Sequence, residues 1–254
     1  MKVFLTGASS GLGEALARRY AGEGATLGLV ARRDKELARL AAALAPATVA
    51  TYACDVRDAE ALARAGADFI ARHGCPDVVI ANAGISRGFA TELPEDLPAM
   101  RAIFETNVFG IVHTFQPFVA AMAARREGAL VGIASVAGFR GMPGSGAYCG
   151  SKSAAITYLE SLRVEMRPRG VDVLTICPGF IETQLTARNP YRMPFLLKAD
   201  DAARLVARAI LRRKRFYVLP WPMALVGRVL KVLPRPIFDR VVQSRKRKPR
   251  DNPV

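Results

Sequence analysis

Short apolar runs alternate with amphipathic stretches along residues 3–219. The apolar runs contain few polar residues, which is typical of strands buried on both faces of a parallel sheet. They predict strands at residues 3–6, 25–31, 48–54, 77–81, 129–134, 171–176 and 216–219. Between them, apolar residues recur at helical spacing and predict helices at 14–21, 34–44, 58–73, 98–126, 145–166 and 200–212.

This alternation of strand and helix predicts an α/β fold with a doubly wound, parallel, seven-stranded sheet. The connections between parallel strands should then be right-handed crossovers. No linker, repeat or second domain is evident before residue 219. We therefore predict a single domain over residues 1–219, followed by an extension over residues 220–254.

Composition narrows the class of protein. Among 254 residues, 37 Lys and Arg against 22 Asp and Glu give a net charge of +15, which favours anionic partners: phosphorylated cofactors, acidic membranes or nucleic acid. The 51% share of apolar residues excludes a disordered chain. Dispersed cysteines and only two histidines predict free thiols and no metal site. We expect a cytoplasmic protein without a signal peptide or a membrane-spanning helix.

A glycine-rich turn joins the first predicted strand to the first predicted helix. Glycine lets the backbone turn sharply and lets a pyrophosphate approach the amides at the positive end of the helix. This position favours dinucleotide binding over the alternative, a plain tight turn. The candidate binding residues are Gly7, Ser9, Ser10, Gly11, Leu12 and Gly13.

Two arginines follow the second predicted strand. Sites that choose NAD usually hold the ribose hydroxyls with an acidic residue at this point, whereas this chain has Arg32 and Arg33. Guanidinium groups bind a 2′-phosphate through charge-assisted hydrogen bonds. We therefore predict NADP (NADPH) as the cofactor, with Arg32 the stronger candidate. The alternative is that both arginines are merely solvated at the start of the next helix.

A tyrosine and a lysine four residues apart supply candidate acid–base chemistry. A free phenol has a pKa of roughly 10 and is a poor proton donor or acceptor at neutral pH. On a helix, Tyr148 and Lys152 share one face, and the ammonium should lower the pKa of the phenol toward neutrality. Alone, such a pair is more often a surface tyrosine beside a solvated lysine.

Taken together and in this order, the motifs closely resemble those of the short-chain dehydrogenase/reductase family, over residues 3–219. Residues 6–13 resemble the cofactor fingerprint of its Rossmann fold. The catalytic set of the family is matched by Ser135, Tyr148, Lys152 and Asn107, the last within Asn-Val-x-Gly. Further motifs are matched by Asn82, Ala83 and Gly84 after the fourth strand, and by Pro178, Gly179 and Thr183 after the sixth.

The resemblance implies an NADP-dependent oxidoreductase that interconverts a carbonyl and an alcohol. Tyr148 would exchange the proton of the substrate oxygen, which Ser135 would polarise. Lys152 would lower the pKa of the tyrosine and bind the nicotinamide ribose, while Asn107 would hold a water that connects Lys152 to solvent. The resemblance also implies a homodimer or homotetramer.

Further cofactor contacts follow from the same resemblance. Asp55 and Val56 would flank the adenine, Asn82, Ala83 and Gly84 would line the ribose side, and Thr183 and the backbone at Ile181 would contact the nicotinamide end. Each has a structural alternative: Asp55 as a helix cap, Asn82 as a brace at a strand end, Ser135 as an ordinary loop serine.

Two loops, residues 138–146 and 180–198, should wall the substrate side, the second as a lid. Phe139, Met142, Tyr191, Met193 and Phe195 then suggest an apolar chamber for a lipophilic carbonyl or alcohol, unless they only pack the lid.

The extension combines a short apolar helix near residues 221–233 with a basic run at residues 245–250. This pattern is typical of peripheral contact with anionic lipid. The alternative is a helix that packs on its own domain or on another subunit, with a solvated tail. Nucleic-acid binding is disfavoured because interleaved aromatic residues are lacking. A non-catalytic NADP-binding sensor or scaffold is the other candidate function.

Overall fold

Strand order in the central sheet reverses next to the first strand. The computed structural model describes residues 1–187, 189–244 and 246–250, so Arg188 of the predicted lid, and Arg245 and residues 251–254 of the predicted tail, lie outside the described residues. The strands are β1 Lys2–Thr6, β2 Thr26–Ala31, β3 Val49–Ala53, β4 Val78–Ala81, β5 Ala129–Ile133, β6 Asp172–Pro178 and β7 Phe216–Leu219. They pair in parallel in the order β3-β2-β1-β4-β5-β6-β7, which confirms the predicted fold class.

Helices cover both faces of the sheet. They are α1 Gly11–Gly22, α2 Asp34–Ala43, α3 Ala59–His73, α4 Leu97–Phe104, α5 Gly110–Arg125, α6 Gly146–Met166, α7 Ala199–Leu211, α8 Trp221–Val232 and α9 Arg235–Val242. Helices α1, α2 and α7 bury their apolar sides in the core on one face. Helices α3, α5 and α6 do so on the other. The chain thus forms two hydrophobic layers separated by the sheet.

Alternate residues of β1 show how the two layers are filled. Phe4 faces the α3–α5 layer, where its ring lies 5.6 Å from Phe69 and 4.7 Å from Phe118 between centroids. Leu5 belongs to the opposite layer. Burying one such side chain stabilises the fold by roughly 1.5–3 kcal/mol. Gly28 leaves room for the aromatic cluster, because a Cβ there would lie 2.6 Å from Phe4.

The predicted helix over residues 98–126 is interrupted. Between α4 and α5 the chain forms a π-helical turn, Glu105–Phe109. Such turns insert extra backbone into a helix and often occur at functional sites. Asn107 lies in this turn and is fully buried, so its amide groups can serve neighbouring segments instead of competing with a regular helix.

The helical region around α4 and α5 meets the length and composition criteria of a membrane-spanning helix. Within the described residues, the helical stretch Pro94–Arg125 is long and apolar enough to span a bilayer, contrary to the expectation that no stretch would be. Its inner side instead packs in the core through Ile111, Phe115, Phe118 and Met122. A core helix of a globular domain satisfies the same length and hydropathy criterion.

The carboxyl edge of the sheet contains the crevice in which ligands of doubly wound folds bind. After β3 the chain crosses the sheet to place β4 on the other side of β1, so the connections after β1 and β4 diverge. Such a switch point leaves a crevice between them. The loops that follow β1, β2, β3, β4, β5 and β6 surround it.

The extension after β7 continues to pack on the domain. Helix α8 buries Met223 and Gly227 and exposes Trp221, Leu225 and Val229. Contact of this exposed side with a membrane or another subunit stays a prediction. Beyond α9, residues 246–250 return to the carboxyl edge of the sheet. The described part of the tail is therefore docked on the domain instead of extending into solvent.

Candidate active site

One continuous cavity of about 1100 Å³ occupies the carboxyl edge of the sheet. Every residue that the sequence singled out for cofactor binding or catalysis lines it, except Asn107, which lies behind its wall. The cofactor candidates on its surface are Gly7, Ser9, Ser10, Gly11, Leu12, Gly13, Arg32, Arg33, Asp55, Val56, Asn82, Ala83, Gly84, Pro178, Gly179, Ile181 and Thr183. The catalytic candidates are Ser135, Tyr148 and Lys152.

The glycine turn is packed too closely for side chains. Gly7 and Gly11 have positive φ angles of 68° and 55°, which favour glycine. A Cβ on Gly13 would lie 2.1 Å from the backbone oxygen of Gly7. Ser10 precedes α1 in an extended conformation, and its side chain does not cap the helix. The first amides of α1 are thus left to bind an anion, as expected for a pyrophosphate site.

The two arginines lie at the end of the cavity beside this turn. Arg33 donates through Nη2 to the backbone oxygen of Ser9 at 3.2 Å and to its hydroxyl at 3.1 Å. Arg32 lies 3.9 Å from the carboxylate of Asp55. Asp55 is held chiefly by Arg57, which donates through Nη2 at 2.8 Å. Both cavity arginines remain half-exposed, so their guanidinium groups can reach a ligand.

Asn82 braces the floor of the cavity. Its side-chain amide donates to the backbone oxygens of Thr6 at 3.1 Å and Gly7 at 3.2 Å. Its backbone amide donates to the Thr6 hydroxyl at 3.2 Å. These bonds tie the ends of β1 and β4 together and fix the glycine turn. Asn82 therefore braces a strand end, as the structural alternative stated. It also lines the cavity.

Ser135 and Tyr148 meet at the centre of the cavity. Ser135 follows β5, where its hydroxyl accepts from the Ala137 amide at 3.1 Å and donates to the Pro178 carbonyl at 3.4 Å. Tyr148 lies in the first turn of α6. Burial raises the pKa of Tyr148 to about 12, although a hydrogen bond with Ser135 opposes the rise. The phenol is therefore protonated at neutral pH.

Lys152 lies one helical turn beyond Tyr148, as predicted. Its Nζ donates to the Ile133 carbonyl at 2.8 Å and lies 5.9 Å from the centroid of the tyrosine ring. Burial lowers the pKa of Lys152 to about 8. The predicted fall in the pKa of Tyr148 is wrong for this structure, because desolvation of the phenol outweighs the hydrogen bond with Ser135 that lowers the pKa.

Asn107 connects the π-helical turn to two other segments. Its Oδ1 accepts from the Ile85 amide at 2.8 Å, and its Nδ2 donates to the Ile85 carbonyl at 2.9 Å. Nδ2 also donates to the Ser151 hydroxyl at 3.0 Å. Ser151 in turn donates to the backbone carbonyl of Tyr148 at 2.8 Å. Asn107 thus positions the helix turn that carries Tyr148 and the loop after β4.

The segment after β6 covers the glycine turn. Ile181 forms a bridge with Leu197, which closes the base of the predicted lid. Within this segment, Thr183 packs closely on Gly11. A Cβ added to Gly11 would lie 2.8 Å from the Thr183 side chain. Thr186 donates to the Ile181 carbonyl at 2.6 Å. The described part of this segment therefore lies over the cofactor end of the cavity.

The predicted apolar chamber is only partly correct. Met142 and Tyr191 line the cavity. Phe139 instead stacks on Phe216, with 6.1 Å between ring centroids, and Phe195 is 51% exposed. Neither Phe139, Phe195 nor Met193 is among the described lining residues. Helix α8 takes their place, since its apolar side closes the substrate end with Met223, Val226, Gly227 and Leu230.

Two polar residues at this end were missed by the sequence analysis. Ser86 follows the Asn-Ala-Gly motif, and Lys248 lies in the basic run of the tail. Both are buried, and Lys248 donates to the Ser86 hydroxyl at 2.8 Å. A basic run gives no sign of which lysine will be buried, so only the folded chain could identify Lys248.

Comparison with known proteins identifies the family of this fold and site. The short chain dehydrogenase family matches residues 1–192, so the chain belongs to the short-chain dehydrogenase/reductase family of oxidoreductases. An uncharacterized oxidoreductase of Myxococcus xanthus (strain DK1622) is 41% identical over 239 residues, which cover 92% of this chain and 93% of the relative. The 11-beta-hydroxysteroid dehydrogenase A of Sesamum indicum is 32% identical over 237 residues, with coverage of 86% and 68%.

A solved structure agrees with the fold. The short chain dehydrogenase/reductase of Burkholderia phymatum in complex with NAD superposes with a TM-score of 0.81 at 27% identity, covering 100% of this chain and 97% of that one. The extension after β7 thus falls within the region of similarity.

Proposed function

We propose that this protein is an NADPH-dependent carbonyl reductase that reduces a lipophilic ketone or aldehyde to an alcohol. One observation carries the proposal. Ser135, Tyr148 and Lys152 converge on a single cavity that also contains the glycine turn and two arginines. A proton donor and a dinucleotide cradle in one enclosed space are the parts that carbonyl reduction requires.

The cradle fits a phosphorylated dinucleotide. Gly7 and Gly13 pack so closely against neighbouring backbone that neither position admits a side chain, and the first amides of α1 are free of a side-chain cap. Arg32 and Arg33 supply positive charge at the end where a 2′-phosphate would lie. The relative from Burkholderia phymatum was solved with NAD, so the preference for NADP depends on these two arginines. Bound NADPH would supply the hydride.

The residues of the site would handle the proton. Tyr148 would donate its phenolic proton to the oxygen of the carbonyl, and Ser135 would hold that oxygen through its hydroxyl. Lys152 would stabilise the resulting phenolate, since its ammonium lies 5.9 Å from the ring centroid. Asn107 would act as a positioning residue through Ser151 and the Tyr148 backbone.

The protonation state of Tyr148 suits it to act as an acid. Burial raises the pKa of Tyr148 to about 12, so at neutral pH the residue is an acid with its proton in place. Oxidation of an alcohol would require the phenolate, which burial disfavours. Tyr148 is therefore suited to donate a proton to a carbonyl oxygen, while the concentrations of substrate and cofactor set the net direction.

The substrate end is mainly apolar. Met142, Met223, Val226 and Leu230 line it together with the Tyr191 ring. Such a lining supports a lipophilic substrate. The name of the Sesamum indicum relative, a hydroxysteroid dehydrogenase, points in the same direction.

The test is NADPH and NADH oxidation with a panel of hydrophobic ketones, for the wild type and Tyr148→Phe. We expect the substitution to reduce kcat by roughly a thousandfold while NADPH still binds, since a positioned acid contributes roughly 10²–10⁴-fold. Tyr158→Phe is the matched control on the same helix, outside the cavity lining, and should keep full activity. Equal turnover in Tyr148→Phe would refute the assigned acid. NADPH binding without turnover of any ketone would favour a sensor or scaffold.

A further inference from the structure

The end of the chain closes the substrate side of the cavity. We call residues 246–250 the C-terminal strap. Gly88 donates its amide to the Pro249 carbonyl at 2.9 Å. A Cβ on Gly88 would lie 2.3 Å from the Lys248 carbonyl, so the absence of a side chain permits this close approach. The strap therefore runs against the loop that follows β4.

Ion pairs fix the strap on both sides of Lys248. Arg250 donates through Nε to Asp96 at 2.9 Å and through Nη2 to Glu95 at 3.2 Å. Arg247 lies 3.4 Å from Glu92. Asp96 is itself oriented, because its carboxylate accepts from the Ala90 amide at 2.8 Å. These contacts leave Lys248 little freedom to point elsewhere.

Lys248 extends from the strap toward the catalytic tyrosine. It is only 6% exposed, and its Nζ lies 6.0 Å from the centroid of the Tyr148 ring. This distance nearly equals the 5.9 Å between Lys152 and the same ring. Two ammonium groups therefore flank Tyr148, one from its own helix and one from the end of the chain.

Lys248 has no carboxylate partner among the described residues, and the Cys149 thiol interacts with it electrostatically. The Lys248 side chain donates to the neutral hydroxyl of Ser86. Among the described residues that line the cavity, Asp55 is the carboxylate, and it is paired with Arg57 at the cofactor end. The substrate end instead collects Lys152, Lys246 and Lys248. Burial lowers the pKa of Lys248 to about 8, so the ammonium form of Lys248 still predominates at neutral pH.

A buried charge without a counter-charge is costly, and a ligand that supplies one removes the cost. We propose that Lys248 binds a carboxylate of the substrate, so that the enzyme reduces apolar ketones that carry a carboxylate a few bonds from the carbonyl. This inference rests on the proposed carbonyl reduction at Tyr148. The apolar lining would hold the hydrocarbon part, and the position of Lys248 beside Tyr148 sets the short separation between the two oxygen groups.

Binding and turnover test the inference separately. The full-length protein, loaded with NADPH, is titrated with phenylacetate and with methyl phenylacetate, and binding is followed by calorimetry. Turnover is measured with benzoylformate and β-benzoylpropionate, each beside its methyl ester. We expect the wild type to prefer the carboxylate over the ester by roughly tenfold or more, as one charge-assisted hydrogen bond provides.

The variants assign that preference to Lys248. Lys248→Gln should abolish it and Lys248→Arg should keep part of it. Gly88→Ala should also abolish it, because the added Cβ displaces the strap. Lys214→Gln is the matched control, since Lys214 is exposed and precedes β7 at the opposite edge of the sheet.

Two outcomes would overturn the inference: equal binding of acid and ester by the wild type, or an undiminished preference in Lys248→Gln. Tyr148→Phe separates this inference from the proposed function. This variant should lose turnover and keep the preference for the carboxylate in binding. Turnover without the preference would refute the role of Lys248 alone, whereas the preference without turnover in the wild type would refute the proposed reductase alone.

Discussion

The two ends of the cavity are assembled in opposite ways. At the cofactor end, the glycine turn and the start of α1 are continuous in sequence, and Arg32 and Arg33 follow the next strand. At the substrate end, Ser86, Met142, Tyr191, Leu230 and Lys248 come from five separate segments, spread over more than half of the chain. The glycine turn of the first end depends on local backbone geometry, although residues 55–56, 82–84 and 178–183 also line that end. The second depends on how distant segments dock.

This difference suggests why substitutions at the substrate end could change the substrate while the glycine turn and the cofactor end stay the same. The cofactor end is fixed by close backbone contacts, such as that between Gly13 and Gly7. The substrate end is closed by surface segments held through side-chain contacts, including the ion pairs of Arg250. Surface segments tolerate change better than a packed backbone does. We expect perturbations of the first end to have the larger effects.

The largest effect should come from Gly13→Ala. Its Cβ would meet the Gly7 backbone oxygen, which cannot move without displacing the turn. We expect NADPH affinity to fall by roughly a hundredfold, about 3 kcal/mol, from overpacking. NADPH fluorescence titration measures this, with circular dichroism to check folding.

The control is Gly22→Ala in the same helix, where an added Cβ would meet nothing within 4 Å. It should leave affinity unchanged. Similar affinities for the two variants would show that the turn is more tolerant than its geometry indicates.

An intermediate effect is expected from Arg32→Gln combined with Arg33→Gln. Hydrogen bonds to a charged group contribute roughly 1.5–3 kcal/mol, and the lower end applies here because both arginines are half-exposed. The ratio of kcat/KM with NADPH to kcat/KM with NADH should fall by roughly ten- to a hundredfold. Steady-state kinetics with both cofactors measure it.

Arg39→Gln, an exposed arginine on α2, is the matched control and should leave the ratio unaltered. A double variant that still prefers NADPH by the wild-type factor would contradict the assignment of these arginines.

The smallest effect should come from Arg250→Gln, which weakens the attachment of the strap without removing Lys248. The substitution removes the ion pairs to Asp96 and Glu95 and leaves the backbone bond at Gly88 in place. We expect the preference for a carboxylate ligand to fall by roughly threefold, within the range of a partly exposed ion pair. Cleavage by trypsin after Lys246 or Arg247 should accelerate.

Arg240→Gln, on the exposed side of α9, should change neither measurement. If Arg250→Gln also leaves both unchanged, the ion pairs do not hold the strap.

Sequence patterns predicted the features that depend on residues close together in the chain. The strand positions followed from apolar runs, and the turn at Gly7 and Gly13 followed from the steric needs of a strand–turn–helix connection. The spacing of Tyr148 and Lys152 fixed their common helix face. These properties depend on residues close in sequence, so they can be predicted from the sequence.

Other features were decided by burial or docking. The predicted helix over residues 98–126 contains a π-helical turn at Asn107, whose partners Ile85 and Ser151 lie far away in sequence. Phe139 was expected in the cavity but packs on Phe216. Burial of an apolar side chain is favourable, but the sequence does not specify against which neighbour it packs.

The sequence by itself determined the fold, the cofactor cradle and the membership of Ser135, Tyr148 and Lys152 in one site. Only the tertiary structure decided that burial raises the pKa of Tyr148 and that Lys248 closes the cavity. The physical reason is desolvation, since the pKa of a side chain and the cost of its charge depend on the surrounding atoms. Those atoms come from segments that meet only when the chain has folded.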